Sequence, residues 1–541
     1  MVLLSTRYLG SIQGKTDGHI EEYLGIPYAT LTNRWADAVL VSDLDHDIVL
    51  DATNYGPTAV SPPSGCDLEF SVMQHSLPRG DLPPSDIGCL NLNISIPHTA
   101  EKPPVLPVFV FIHGGGYEIG ASSWPQFNLA RFVRLSVEME LPVVTVSINY
   151  RLGPFGFLTS DELRQRGYKT NNGLRDQRVA LHWVARHIAD FGGDPENITV
   201  AGVSAGGASV MHHLHSVQPL FKRAIVMSGS YFLLPPLPLS KHEENYKEAM
   251  AALGLGHLPA DERIKALMEI PAQDLASRLP RSVLAAPAID GDIITECPTF
   301  KDLATPNNGY PKGKVWCKEL LVGDAQMDGN IIRVLMPGAE VNCAGKFIGV
   351  LKTTLHAHPK IAQKILDHYG ILPNIPDNQA FTAILDYFND IAFFMPTLAA
   401  ACGWAGKAFV YYFNEGNPWN GPSKGRAGHL LDTVYLFQNF SEFLTVEQQA
   451  LSRRFTDDFI RFCHGRALRG GGGVQSNNFE TGFSARVYGS RHVGSGGQVR
   501  DVDYPFGGDT DRRGIIWECV RGGEGVSLDQ LLEVFHLFRG F

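Results

Sequence analysis

The sequence predicts an α/β fold, a mostly parallel, twisted sheet whose strands alternate with helices. Short continuous apolar runs recur along the chain, and helical spacing falls between them. Glycine-rich turns close several of the runs. The runs are 108–112 (VFVFI), 143–148 (VVTVSI), 198–201 (ITVA) and 224–227 (AIVM). Continuous runs suit strands buried on both faces of a sheet. Between the second and third, Leu181, Val184 and Ile188 recur at helical spacing within 174–191, and Gly192-Gly193-Asp194-Pro195 stops that helix. Residues 320–322 and 409–413 read as later strands, and 528–537 as a terminal helix. From about 236 to 395 the pattern turns helical, as in 242–253, and reads as insertions over one end of the sheet. Four glycines at 470–473 place a flexible loop over 469–478.

Composition bounds the function. Of 541 residues, 44 % are apolar and 19 % charged, which excludes wholesale disorder. Length alone corresponds to three or four domains of about 150 residues. With 46 basic against 56 acidic residues the net charge is −10, so a phosphate backbone is repelled and nucleic acid is not expected as a partner. No apolar run reaches the roughly 18 residues of a membrane span. The apolar start, Met1–Leu4, is too short for a signal peptide. A cytoplasmic location is therefore expected, or secretion if a leader has been removed. None of the 8 cysteines forms a CxxC pair, so zinc and thioredoxin chemistry have no support, and buried free thiols are the simple reading.

The strongest chemical signal is Gly202-Val203-Ser204-Ala205-Gly206. It follows the run 198–201 and precedes a helix expected over 208–214. A strand, a sharp turn and a helix make the context of a nucleophile elbow. The turn lifts the serine hydroxyl off the sheet and puts the Ala205 N–H at a helix N-terminus. A second signal, His113-Gly114-Gly115-Gly116-Tyr117, follows the run 108–112. Its glycines let backbone N–H groups converge on a developing oxyanion, so Gly115, Gly116 and Ala205 are the candidate oxyanion donors. His113 itself reads as a structural histidine that holds the loop.

Serine needs a base. Among 19 histidines, His429 stands in a loop after the late run 409–413, where it can reach a serine at the strands' C-terminal edge. The acid should follow a strand between Ser204 and His429. Asp324 and Asp328, both just after 320–322, qualify equally on spacing.

These motifs, with others, resemble the type-B carboxylesterase/lipase family, which has the α/β-hydrolase fold. Tyr23-Leu24-Gly25-Ile26-Pro27-Tyr28-Ala29 is similar to the family's opening motif, and Cys89-Leu90-Asn91-Leu92-Asn93 to its second signature. Asn149-Tyr150-Arg151-Leu152-Gly153, Asp176-Gln177 and Phe191-Gly192-Gly193-Asp194-Pro195 continue the series, so the resemblance spans roughly residues 8 to 465. It implies the catalytic set Ser204, Asp328 and His429. The family's acid directly precedes a glycine, which favours Asp328 over Asp324, and its histidine lies in an H-x-x-[DE] loop, matched by His429 and Asp432. It implies the oxyanion donors named above and a disulfide between Cys66 and Cys89. The family usually has Glu before the serine, whereas here stands Val203, which argues against a cholinesterase.

The expectation is a serine carboxylic-ester hydrolase for small to medium soluble esters, acting without cofactor or metal as a monomer or homodimer. A lipase, or an acyltransferase or lactone-processing enzyme, is the alternative. A non-catalytic binding protein of the same fold is disfavoured by the complete catalytic set. Because those residues lie far apart in sequence and must meet, one catalytic domain over 1–541 replaces the count from length. Tyr117, Val203, Trp124, Tyr231 and Phe232 are candidate pocket residues, with Phe155, Phe393 and Phe394 beside them.

Overall fold

The computed structural model describes residues 1–45, 47–98, 105–469, 483–489, 498–504, 511–521 and 525–540. The loop expected over 469–478 lies outside them beyond Arg469.

Among the described residues, thirteen strands form one sheet. They are β1 (Val2–Ser5), β2 (Ser11–Thr16), β3 (Ile20–Pro27), β4 (Val49–Asp51), β5 (Asn91–Pro97), β6 (Leu106–Ile112), β7 (Val144–Ile148), β8 (Gly193–Val203), β9 (Arg223–Met227), β10 (Glu319–Ala325), β11 (Lys407–Phe413), β12 (Phe483–Tyr488) and β13 (Val499–Tyr504). Their order is β1-β2-β3-β5-β7-β6-β8-β9-β10-β11-β12-β13, with β4 on β2. From β7 through β12 every pairing is parallel, while the strands before β7 and the last strand pair antiparallel along this order. All the apolar runs of the sequence become strands of the parallel part.

Alternation along those strands builds a core on each side of the sheet. Val108, Val110 and Ile112 pack into one, with Val200, Val226 and Val322. Phe109 and Phe111 pack into the other, with Ala201, Ile225 and Leu321. Burial on both faces explains why the runs are continuous rather than alternating. Helix α1 (Gly65–Met73) covers the second core, and α2 (Asn172–His187) packs on the first through Leu181 and Val184. A 3-10 turn, Ile188–Phe191, then ends at Gly192 with φ +80°, the left-handed stop the glycine pair announces.

The excursion predicted as helical is helical. It includes Leu239–Leu253, Ala260–Glu269, Cys343–Thr354, Pro359–Tyr369, Asp377–Asn389 and Met395–Cys402. The terminal helix spans Leu528–Arg539. Among the described residues, no helix is long and apolar enough to cross a membrane.

The expected disulfide is absent, because Cys66 and Cys89 are both free and buried. Cys66, on α1, belongs to the core on one side of the sheet and Cys89 to the core on the other. Burial pushes the Cys89 thiol up to about 12, which leaves it protonated and unreactive.

Candidate active site

Ser204 stands between β8 and α3 (Ala205–His213) with φ 56° and ψ −123°. Few non-glycine residues adopt such a backbone, and the strain has to be held by neighbours. The Ser204 N–H donates to the Met227 carbonyl at the end of β9, 2.9 Å away. The flanking glycines are required by close approach: a Cβ on Gly202 would stand 2.2 Å from the Gly206 carbonyl, and one on Gly206 2.1 Å from that of Ile112. The turn is thus wedged between β6 and the start of its own helix, and it carries the serine to the carboxyl edge of the sheet.

Asp328 and His429 reach the same edge from β10 and β11. After β10, a 3-10 turn begins at Asp328. The Ala325 N–H donates to Asp328 Oδ2 at 2.7 Å, and Met327 pairs with Gly428 in an isolated parallel bridge. That bridge sets the acid's turn against the histidine's loop, just before α4 (Leu431–Phe437). His429 Nδ1–H donates to Asp328 Oδ1 at 2.7 Å, and both side chains are buried, 1 % and 0 % exposed. The Asn330 carbonyl oxygen Oδ1 accepts the His429 backbone N–H at 2.9 Å. The His429 Nε2 is buried and makes no hydrogen bond, so the proton on Nδ1 leaves a lone pair free on Nε2. Phe393 packs edge-on to the imidazole, ring centres 5.7 Å apart.

Asp324 has a different partner. It is fully buried, and Arg513 from the helix α5 (Asp511–Arg521) binds it at 2.9 Å. Burial, with Asp328 nearby, pushes its carboxyl up to about 7. Asp432 is also fully buried, accepts the Tyr411 hydroxyl at 2.8 Å, and is likewise pushed up to about 7 by burial and by Asp328. Three carboxyls therefore crowd one region, and of these three it is Asp328 that bonds His429.

The loop after β6 turns tightly. Gly115 has φ +98°, and a Cβ there would stand 2.0 Å from the Ile119 carbonyl. Its own carbonyl accepts from the N–H groups of Glu118 and Ile119, each at 3.0 Å. Gly116, at φ +63°, has open space where its Cβ would be. The turn leaves room beside Gly116 while Ala205 begins α3. His113 Nδ1–H donates to the Gly114 carbonyl at 2.9 Å, and its ring stacks on Tyr150 at 4.5 Å. Burial pushes His113 down to about 4. It is a neutral, structural ring, as its place in the loop suggested.

Most of the candidate pocket residues are buried against neighbouring side chains. Tyr117 is buried against Phe157 with ring centres 4.6 Å apart, and its hydroxyl lies 3.3 Å from Ser209 Oγ. Val203 is buried on the sheet face with Met227. The Tyr231 hydroxyl donates to the Met211 carbonyl at 2.5 Å, and Phe232 packs on Phe300 at 4.4 Å. Phe155 packs on Trp35 at 5.8 Å, and Phe394 lies under the Arg513 guanidinium at 4.5 Å. Trp124 lines a cavity of about 840 Å³ shared with Cys66, Arg79 and Arg131, and Ser204 is not in its lining. The reason is common to all: an aromatic or branched side chain next to a strand end fills the core first, and sequence does not say which way it turns. Phe393, of this set, packs against the His429 ring.

Sequence reasoning missed Asn330, Asn389 and Arg513. Asn330 had a weak signal, as a polar residue two places from the acid. Asn389, whose Oδ1 accepts the Gly329 N–H at 3.2 Å, and Arg513 had none, being distant in sequence.

A strained serine at the end of the third strand of a parallel series, with a buried histidine–carboxylate pair delivered two and three strands further along, defines the molecule as an enzyme of the α/β-hydrolase fold. The profile of the carboxylesterase family matches residues 2–467. The chain belongs to that family. It is 30 % identical over 473 residues to Lipase 3 of Yarrowia lipolytica, covering 84 % of this chain and 87 % of that protein. It is 28 % identical over 483 residues to the para-nitrobenzyl esterase of Bacillus subtilis, covering 85 % and 89 %. Among solved structures, a PNB esterase superposes with a TM-score of 0.71 at 25 % identity, over 94 % of this chain and 99 % of that one.

Proposed function

We propose that this carboxylesterase-family enzyme hydrolyses small to medium soluble esters through Ser204, His429 and Asp328. His429 Nε2 takes the Ser204 hydroxyl proton as Oγ attacks the ester carbonyl, and the carbonyl electron pair moves onto oxygen. The N–H groups of Gly115, Gly116 and Ala205 stabilise that oxyanion, each worth about 3 kcal/mol of barrier by analogy. Collapse breaks the bond to the alcohol, which leaves with the proton from Nε2. Water, deprotonated by His429, then releases the acid from the acyl-enzyme. Asp328 holds the imidazole in the tautomer with Nδ1 protonated and stabilises the imidazolium. The observation that carries the reading is the 2.7 Å bond from His429 to Asp328, with Nε2 unpartnered.

Soluble esters are favoured over a lipid interface by the segment that would form a lid. Residues 67–88 hold Asp67, Glu69, Arg79, Asp81 and Asp86. Arg79 pairs with Asp67 at 2.9 Å on its surface. We read 1–541 as one catalytic unit, since the residues of the site come from strands across the whole parallel sheet.

Ser204→Ala is expected to abolish hydrolysis of a p-nitrophenyl ester and labelling by a fluorophosphonate probe, with the thermal midpoint essentially unchanged. Retention of more than a few per cent of the activity would sink the assignment.

A further inference from the structure

Two adjacent arginines of α5 grip the segment that leads into Asp328, and the proposed chemistry leaves both unused. Arg513 is buried and meets both carboxylate oxygens of Asp324. Its Nη1–H donates to Oδ1 at 3.2 Å, and Nη2 lies 2.9 Å from Oδ2. Nη2 also donates to the Ala325 carbonyl at 3.2 Å. The N–H of that same residue donates to Asp328 Oδ2 at 2.7 Å. Ala325 is thereby held on two sides, its carbonyl by the guanidinium and its N–H by Asp328. The guanidinium lies against the rings of Phe394 and Tyr412, 4.5 and 5.4 Å from their centres, which confines it in turn.

Arg512 fastens the wall behind the turn. It donates to Asp390 through Nε at 3.0 Å and Nη2 at 2.7 Å, to Asp386 through Nη1 at 2.6 Å, and to the Gln326 carbonyl at 3.2 Å. Asp390 opens the π-helical turn Asp390–Phe394, whose Phe393 packs on the His429 ring. Asn389, just before it, accepts the Gly329 N–H. A two-pronged guanidinium–carboxylate pair fixes orientation as well as distance. The pair at Asp324 also matters electrostatically. Asp324 and Asp328 lie close enough to repel, and an uncompensated charge on Asp324 would oppose the charge that His429 needs on Asp328. Arg513 lies beyond residues 2–467, the part that the family profile matches, so membership of the family assigns it no role.

We propose that Arg513 is a positioning residue for the reaction: its pair with Asp324 and its hold on the Ala325 carbonyl fix the turn that presents Asp328 to His429. This rests on the reading of Ser204, His429 and Asp328 as the site of an ester hydrolase. A misplacement of about 1 Å at such a site costs about 10²-fold in rate. Loss of Arg513 leaves the bond from the Ala325 N–H to Asp328 in place, so the acid shifts by less and the fall in rate is smaller.

The test reads kcat and KM on a p-nitrophenyl ester well below the thermal midpoint, together with the low-field proton NMR resonance of His429 Nδ1–H in the full chain. Arg513→Gln is expected to lower kcat about tenfold with KM unchanged, and to move or broaden that resonance. Arg513→Lys keeps the charge without the two-pronged hold and should recover part of both. A lower thermal midpoint with wild-type kcat and an unmoved resonance would show a merely structural latch and overturn the proposal. So would a raised KM with kcat unchanged. If Arg513→Gln does not fold, Asp324→Asn removes the pair from its other side. It should lower kcat severalfold and move the resonance, and wild-type values of both would overturn the proposal. A resonance that moves in Arg513→Gln although the wild-type protein hydrolyses no ester leaves the positioning standing and sinks the hydrolase reading.

Discussion

His113 and His429 stand at the same edge of the sheet, both 1 % exposed, and both leave Nε2 without a partner. They differ in what Nδ1–H meets. For His113 it is the Gly114 carbonyl, with Tyr150 stacked on the ring. For His429 it is the Asp328 carboxylate. A carbonyl orients a neutral ring but offers little to an imidazolium, and burial then holds the ring unprotonated. A carboxylate orients the ring and also stabilises it once it has taken a proton. Burial being alike, the charge of the Nδ1 partner separates the proposed base from a brace.

The largest test of this contrast is His429→Ala. It should lower kcat by about 10⁴-fold or more, with the fold retained in circular dichroism. Next is Asp328→Asn, which keeps the shape but removes the charge. A fall of about 10⁴-fold is expected by analogy with other Ser-His-Asp sites, read from steady-state kinetics on a p-nitrophenyl ester. Asp324→Asn should cost far less, because that carboxylate faces Arg513. Equal losses would mean that the two aspartates act as one unit.

Gly115→Ala probes the other side of the site. Its Cβ would meet the Ile119 carbonyl at 2.0 Å in a left-handed backbone. The turn must shift, so kcat should fall about 10²-fold, and stability by about 1–3 kcal/mol in denaturant unfolding. His113→Asn should lower kcat by less than about tenfold, because a brace is replaced and no proton carrier is lost. A loss as deep as that of His429→Ala would break the comparison.

The smallest effect is on stability against pH. His113 is pushed down to about 4 in the fold, against about 6.5 in the unfolded chain. Between those values the unfolded state binds the extra proton, so stability rises with pH. The contribution is full above about pH 6.5 and is lost as pH falls toward 4, amounting to about 2–3 kcal/mol. His215 and His536, also pushed down to about 4 by burial, add to the same slope. Thermal unfolding at pH 7.5 and pH 5 should show the loss, and His113→Asn should flatten the slope by its share.

The legible part of the site is the local part. The elbow was readable because strand, turn and helix signals fall within about a dozen residues, and because the close approaches at Gly202 and Gly206 leave no alternative residue. The His113 loop was readable for the same reason. Asp328 and Asp324 were not separable by spacing, since both follow one strand. The partner of Asp324 is Arg513, 189 residues away, and no local pattern connects them. The direction of the candidate pocket side chains was hidden in a similar way. Tyr117 and Val203 adjoin the site in sequence, but the backbone turns their side chains into the core.

Apolar runs and glycine positions alone determined the class of fold, the strands of the parallel sheet other than β12, the serine and the glycine turn, because those follow from short-range sterics and from burial on two faces. The tertiary structure decided which carboxylate meets His429, which aromatic ring flanks it, and that Cys66 and Cys89 stay apart. Each of these depends on which distant segments share a sheet edge or a face. Such pairing is set by the packing of the whole chain and leaves no mark on a residue's neighbours in sequence.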